Sequence, residues 1–211
     1  MGLLHLREFQ SFRIYSTVSV RRILTEENSL FRTLARARPP VQWETLPLDQ
    51  PVSLSQHEPT LSCTAVSLGG SFPDYVSDGL RRSLPENEAV IGLELVQSGK
   101  RFLYAPSLPE GGKSFRNRAT QSNLSLLDGT FWTDDELICI LGSGKTARQM
   151  GHLPLSGPDG LLEGMRAAQN SRRVLIHLNN TNPVLDEDSA ENRAMRQAGW
   201  EIAHDGMEFE L

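Results

Sequence analysis

Cysteine is scarce in this chain: Cys63 and Cys139 are the only two in 211 residues, far apart and outside any CxxC or Cys/His spacing. No cysteine metal motif or disulfide framework is therefore called for. Cys63 sits in the apolar run Leu61-Ser62-Cys63-Thr64-Ala65-Val66 and reads as a small buried hydrophobe. A basic excess is lacking too, since 21 Lys and Arg stand against 26 Asp and Glu, a formal charge of −5. That balance argues against a nucleic-acid binder working through a broad basic face. No stretch approaches the roughly 18 consecutive apolar residues of a helical membrane span. The first residues place His5 and Glu8 where a secretory leader would be basic and then apolar, which predicts a cytoplasmic chain. No internal repeat, low-complexity tract or interdomain linker is visible, so 1–211 is expected to be a single domain.

The remaining composition is that of a globular protein, with 38% hydrophobic and 22% charged residues. Twelve prolines and 17 glycines imply many turns and suit a sheet-containing fold. Leu3, Leu4, Leu6 and Phe9 share one helical face, and 12–17 reads as a strand. One or two helices are expected over 18–37, stopped by Arg38-Pro39-Pro40. Short strands are expected at 41–44, 61–68, 89–95 and 101–105, with loops at 69–78 and 107–112. Later, apolar runs at 124–127 and 173–176 alternate with helices at 160–169 and 189–198. Ser189 is placed to cap the last helix and Gly199 to end it. Asp205-Gly206 predicts a hairpin turn between strands at 200–203 and 207–210. The pattern predicts sheets packed together and covered by helices.

Two strands end in polar residues: Leu126-Leu127-Asp128-Gly129-Thr130 and Leu175-Ile176-His177-Leu178-Asn179-Asn180-Thr181-Asn182-Pro183. Rigid strand ends deliver side chains into a cleft, and Asp and His are natural ligands of a divalent metal. On spacing alone the plainer readings are a turn residue for Asp128 and a half-buried imidazole for His177. His152 lies in a glycine-flanked loop, Met150-Gly151-His152, ahead of Ser156 and Asp159, each a plausible helix N-cap. Asn179, Asn180 and Asn182 are dense in amide donors and acceptors. Gly142-Ser143-Gly144-Lys145-Thr146 is not a phosphate loop, because the pattern's first glycine falls on Cys139. Asp134-Asp135-Glu136 reads as an acidic first turn of a helix. His5 and His57 suggest no partner.

In order along the chain come Phe102-Leu103-Tyr104-Ala105-Pro106, Asp128-Gly129-Thr130-Phe131-Trp132 and Met150-Gly151-His152 with Ser156-Gly157-Pro158-Asp159-Gly160. The 176–183 run and Gly199-Trp200-Glu201 with Asp205-Gly206-Met207 follow. This order resembles the pyrroloquinoline quinone biosynthesis B family, a branch of the metallo-β-lactamase superfamily. The resemblance implies an α/β (α+β) fold, the αββα four-layer sandwich with its metal cleft at the strand ends. It implies Asp128 and His177 as metal ligands, His152 as a catalytic acid or base, and Asn179, Asn180 and Asn182 shaping a substrate-binding cleft.

The superfamily's HxHxDH cluster does not occur in this sequence, and Gly2-Leu3-Leu4-His5-Leu6-Arg7-Glu8 resembles the helix that follows a reduced, Asp-His version of it. The expectation is a domain incomplete at its N-terminus, holding iron, or alternatively zinc, only weakly until an upstream Asp-His segment is added. The implied activity is an iron-dependent hydroxylation of the tyrosine-derived ring of a peptide-derived precursor. A carrier of the quinone or its precursor toward the periplasm is the alternative. A metal hydrolase is a third reading, set back by the missing histidine cluster. The implied partners are the quinone or its precursor and other proteins of that synthesis.

Overall fold

The computed structural model describes residues 2–6, 11–36, 38, 40–55, 60–168 and 171–211. Arg7, Glu8, Phe9, Ala37, Pro39, His57 and Gln169, on which sequence expectations also rest, lie outside them. The first half builds helix α1 (Gly2–Leu6), strand β1 (Arg13–Ser16), helix α2 (Val18–Arg22), strands β2 (Gln42–Thr45), β3 (Pro51–Ser53) and β4 (Ser62–Gly69), and helix α3 (Asp78–Arg81). Strands β5 (Val90–Gln97) and β6 (Lys100–Ala105), helix α4 (Lys113–Gln121), strand β7 (Leu124–Asp128) and helices α5 (Glu136–Leu141) and α6 (Leu161–Gly164) follow. Strand β8 (Arg172–Ile176), helix α7 (Ala190–Gln197) and strand β9 (Trp200–Ile202) complete the order.

β3 to β9 lie side by side in chain order as one seven-stranded sheet, while β1 and β2 form a separate parallel pair. Pairing is antiparallel from β3 to β6 and parallel from β6 to β9. Strand alternation sorts side chains onto two faces. On one, Leu103 and Ala105 of β6, Leu127 of β7 and Leu175 of β8 are buried with Phe115 and Ala119 of α4, Leu161 of α6 and Met195 of α7. On the other, Cys63 and Ala65 of β4 and Leu93 and Leu95 of β5 pack with Leu46 and with Tyr15 of β1. The layers expected from the pattern are thus a mixed sheet with helices on one face and the small sheet against the other.

Several local expectations are corrected. The 18–37 region is one short helix, a wider π-type turn over Ile23–Glu27 and a 3-10 stretch over Ser29–Arg36, divided by extended Asn28. Ile23 and Thr25, in the π-type stretch, are β-branched and weaken a regular helix there. The 160–169 helix shrinks to α6, and neither Ser156 nor Asp159 caps it. Its N-cap is Gly160, and the Ser156 hydroxyl donates instead to the Trp132 carbonyl at 2.7 Å. No strand forms at 207–210: the chain turns at His204–Met207, and Phe209 lies under the Arg172 guanidinium, 4.9 Å from ring centre. Among the described residues β9 pairs only with β8, so the turn closes no hairpin. Ser189 does cap α7, accepting from the Asn192 N–H at 2.9 Å, and Gly199 follows with φ +78°.

Both cysteines are free thiols. Burial pushes the Cys63 thiol up, and the hydrogen bond to Asp135 raises that of exposed Cys139. Raised thiols are short of thiolate at neutral pH and react slowly. Titration of the native protein with a thiol reagent should therefore modify Cys139 slowly and Cys63 only on unfolding. Asp135→Asn should speed the first reaction, and an unchanged rate would remove the assigned cause.

Candidate metal centre

β7 and β8 are parallel, with Asp128 opposite Ile176, so Asp128 and the next residue of β8's chain, His177, leave the sheet at the same edge. The carboxyl ends of parallel strands are where such sheets present ligands. Gly129 is what lets the two strand ends approach: a Cβ there would meet the Leu175 side chain at 3.0 Å and the Ile176 carbonyl at 3.1 Å. The Gly129 N–H donates to that carbonyl at 2.8 Å. His177 has φ +58°, a left-handed conformation that costs a non-glycine residue about 1–3 kcal/mol and clusters at functional sites. His152 arrives from a third segment. Gly151, at φ +84°, turns the chain before it, and Leu153 N–H anchors the loop to the Leu108 carbonyl at 2.7 Å.

The Asp128 carboxylate is 1% exposed and surrounded by donors. Oδ1 accepts the Thr130 N–H at 3.0 Å and the Thr130 hydroxyl at 2.5 Å. Oδ2 accepts the Leu108 N–H at 2.8 Å and lies 2.7 Å from His152 Nδ1. Thr130 Oγ1 is also 3.1 Å from His152 Nδ1 and 2.9 Å from His177 Nδ1. The two imidazoles stack, with centroids 5.4 Å apart and planes 22° from parallel, and Phe131 meets the edge of His152. His152 is nearly enclosed, and His177 is exposed.

One ligand atom from each of Asp128, His152 and His177 lies within 4.8 Å of the other two. Donors of a tetrahedral ion at 2.0–2.2 Å bonds stand about 3.3–3.6 Å apart, so side-chain movements of up to about 1 Å would close the set. Two histidines and one carboxylate match zinc and non-haem iron alike. The residues present therefore fit a divalent metal.

The asparagines divide. Asn182 is buried; its amide donates to the carbonyls of Gly129 at 2.8 Å and Thr130 at 3.3 Å, and its Oδ1 accepts the Val184 N–H at 3.1 Å. That side chain is committed to joining the two strand-end loops rather than open to a ligand. The Asn179 N–H donates to the Thr130 carbonyl at 3.1 Å, its side chain reaches Thr181, and Asn180 is exposed. Two roles were not legible in the sequence. Thr130 joins every member of the triad. Glu136, read only as a first-turn acid, is buried, accepting the Trp132 N–H and the Thr181 hydroxyl, each at 2.6 Å. A cavity of about 880 Å³ is lined by Ser107 and Gly151, the chain neighbours of Leu108 and His152, and by none of the three donors. Phe72, Val90, Lys145 and Arg148 line it as well.

The fold and this strand-edge donor set define a metallo-β-lactamase-type domain, and residues 1–178 match the family model described as beta-lactamase superfamily domain. Along its whole length the chain is 41% identical to coenzyme PQQ synthesis protein B of Methylobacillus flagellatus, covering 69% of that protein. It is 38% identical to the protein of the same name from Methylococcus capsulatus, again over all of this chain and 69% of the relative. The crystal structure of Zn(2+)-bound PqqB from Methylobacterium extorquens superposes with a TM-score of 0.86 at 33% identity, over 100% of this chain and 68% of that one. The chain belongs to the coenzyme PQQ synthesis protein B family. No helix among the described residues is long and apolar enough to cross a membrane.

Proposed function

We propose that this chain serves coenzyme PQQ synthesis as a metal-dependent hydroxylase acting on the tyrosine-derived ring of the peptide-derived precursor. The observation that carries the reading is the convergence of Asp128, His152 and His177 in a chain 41% identical throughout to a coenzyme PQQ synthesis protein B. Asp128 and His177 hold the metal, for which the zinc-bound relative is supporting precedent. Iron would supply the redox chemistry of oxygen that zinc, with no accessible redox state, does not.

The chain's own residues do the rest. Asp128 orients the His152 ring through the 2.7 Å contact at Nδ1 and so fixes the imidazole that moves a proton at the substrate. The cavity bordering Ser107 and Gly151 receives the precursor, with exposed Asn180 and half-buried Asn179 at the neighbouring strand end. Buried Leu108 and Phe131 exclude water behind the centre.

The test compares metal-stripped, zinc-loaded and iron-loaded protein with precursor, oxygen and an added two-electron reductant such as ascorbate. Oxygen uptake and a product heavier by one oxygen atom, the second atom leaving as water with two electrons from the reductant, are expected with iron alone, and should be lost in His177→Ala. Unchanged precursor with stoichiometric bound iron, or equal turnover with zinc, would overturn the reading.

A further inference from the structure

The hydroxyl of Thr130 has one proton and four acceptor-capable atoms around it: Asp128 Oδ1, the His177 carbonyl, and Nδ1 of both histidines. Proton counting settles who gives to whom. Each Asp128 oxygen already accepts a backbone N–H, from Thr130 on one side and Leu108 on the other, so both act as acceptors. The 2.5 Å contact to Oδ1 lies in the range of a hydroxyl donating to a carboxylate, and it is shorter than the 3.1 Å alternative to the His177 carbonyl. The single Thr130 proton therefore goes to Asp128. Its oxygen can then only accept from His177 Nδ1, 2.9 Å away, so that nitrogen must carry a hydrogen. The same reasoning puts a hydrogen on His152 Nδ1, which faces the acceptor Oδ2.

We propose that Thr130 is the positioning residue of this centre: its hydroxyl oxygen accepts from Nδ1–H of His177, fixes the ring and leaves Nε2 as the nitrogen that meets a metal. The inference deepens the metal reading above and rests on it for its purpose, though the tautomer itself is a property of the metal-free chain. Without the hydroxyl, exposed His177 has no side-chain partner among the described residues to fix which nitrogen is protonated, and a fraction of the molecules would present the wrong one.

The experiment is a long-range proton–nitrogen spectrum of histidine-labelled, metal-free protein at about pH 8, where free imidazole is neutral. A competitive zinc titration of the same samples accompanies it. Wild type and Thr130→Ser should both show His177 in the Nδ1–H form. Thr130→Val should show exchange between tautomers and bind zinc about 10–100-fold more weakly, the usual effect of losing a residue that orients a ligand. Should Thr130→Val not fold, Thr130→Ala removes the same hydroxyl with less bulk. An Nε2–H His177 in wild type overturns the proposal, as does a hydroxyl-free variant with unchanged tautomer and affinity. If wild type shows the Nδ1–H form but binds no zinc or iron, the metal reading falls and the tautomer assignment stands.

Discussion

Asp128→Asn is expected to destabilise the protein by about 2–3 kcal/mol and to weaken metal binding by about a hundredfold or more. The amide keeps the shape of the carboxylate but replaces one acceptor oxygen with an NH2 donor. In one orientation that donor faces the Leu108 N–H, in the other the Thr130 N–H, at positions now 2.8 and 3.0 Å from oxygen. His152 can adapt by accepting at Nδ1, but a backbone N–H cannot change its role. The site is 1% exposed, so water does not relieve the clash. For a chain of this length the loss corresponds to a melting temperature lower by about 5–10 °C. The same change at exposed Asp74 should stay within about 0.5 kcal/mol. Thermal unfolding beside zinc competition checks both halves, and an unshifted melting curve would show that Asp128 is not satisfied as described.

Asn182→Asp should be still more damaging, by about 3–5 kcal/mol near neutral pH, the range for a buried charge left without a partner. The substitution turns the donor that bridges the Gly129 and Thr130 carbonyls into an oxygen facing both. The introduced carboxyl would have its folded pKa raised above the unfolded value by burial and by those carbonyls. The penalty is therefore full above the folded pKa and shrinks as pH falls toward the unfolded value, where the protonated acid can again donate to one carbonyl. Melting temperatures of variant and wild type should converge on acidification. Asn182→Ala, which removes the bridge without adding charge, should cost about 2 kcal/mol with little pH dependence. A variant as stable as wild type at neutral pH would mean that Asn182 does not join the two loops.

The legible parts of this protein are those decided within a few residues. Alternating apolar runs mark β4 to β8, and Ser189 and Gly199 mark the ends of α7, because side-chain period and capping are local properties. The same local signal placed Asp128 and His177 where strands end. It misplaced what packing decides: Ser156 spends its hydroxyl on the Trp132 carbonyl instead of capping α6. It also joined 200–210 into a hairpin, although β9 finds its ladder on β8 and Phe209 finds Arg172. Glu136 looked like a helix-end acid because its partner Thr181 is 45 residues away.

By itself, then, the sequence determined which side chains were available for metal chemistry and which element ended beside each of them. Tertiary structure decided that they meet. Pairing β7 with β8 in the register Asp128 to Ile176 puts two strand ends side by side, and the turn at Gly151 brings His152 in from 24 residues away. The physical reason is one of range: helix and strand periodicity act over about four residues. The ties among Asp128, Thr130, His152, His177 and Asn182 include spans of 22 to 52 residues, fixed only when the sheet closes and excludes water around them.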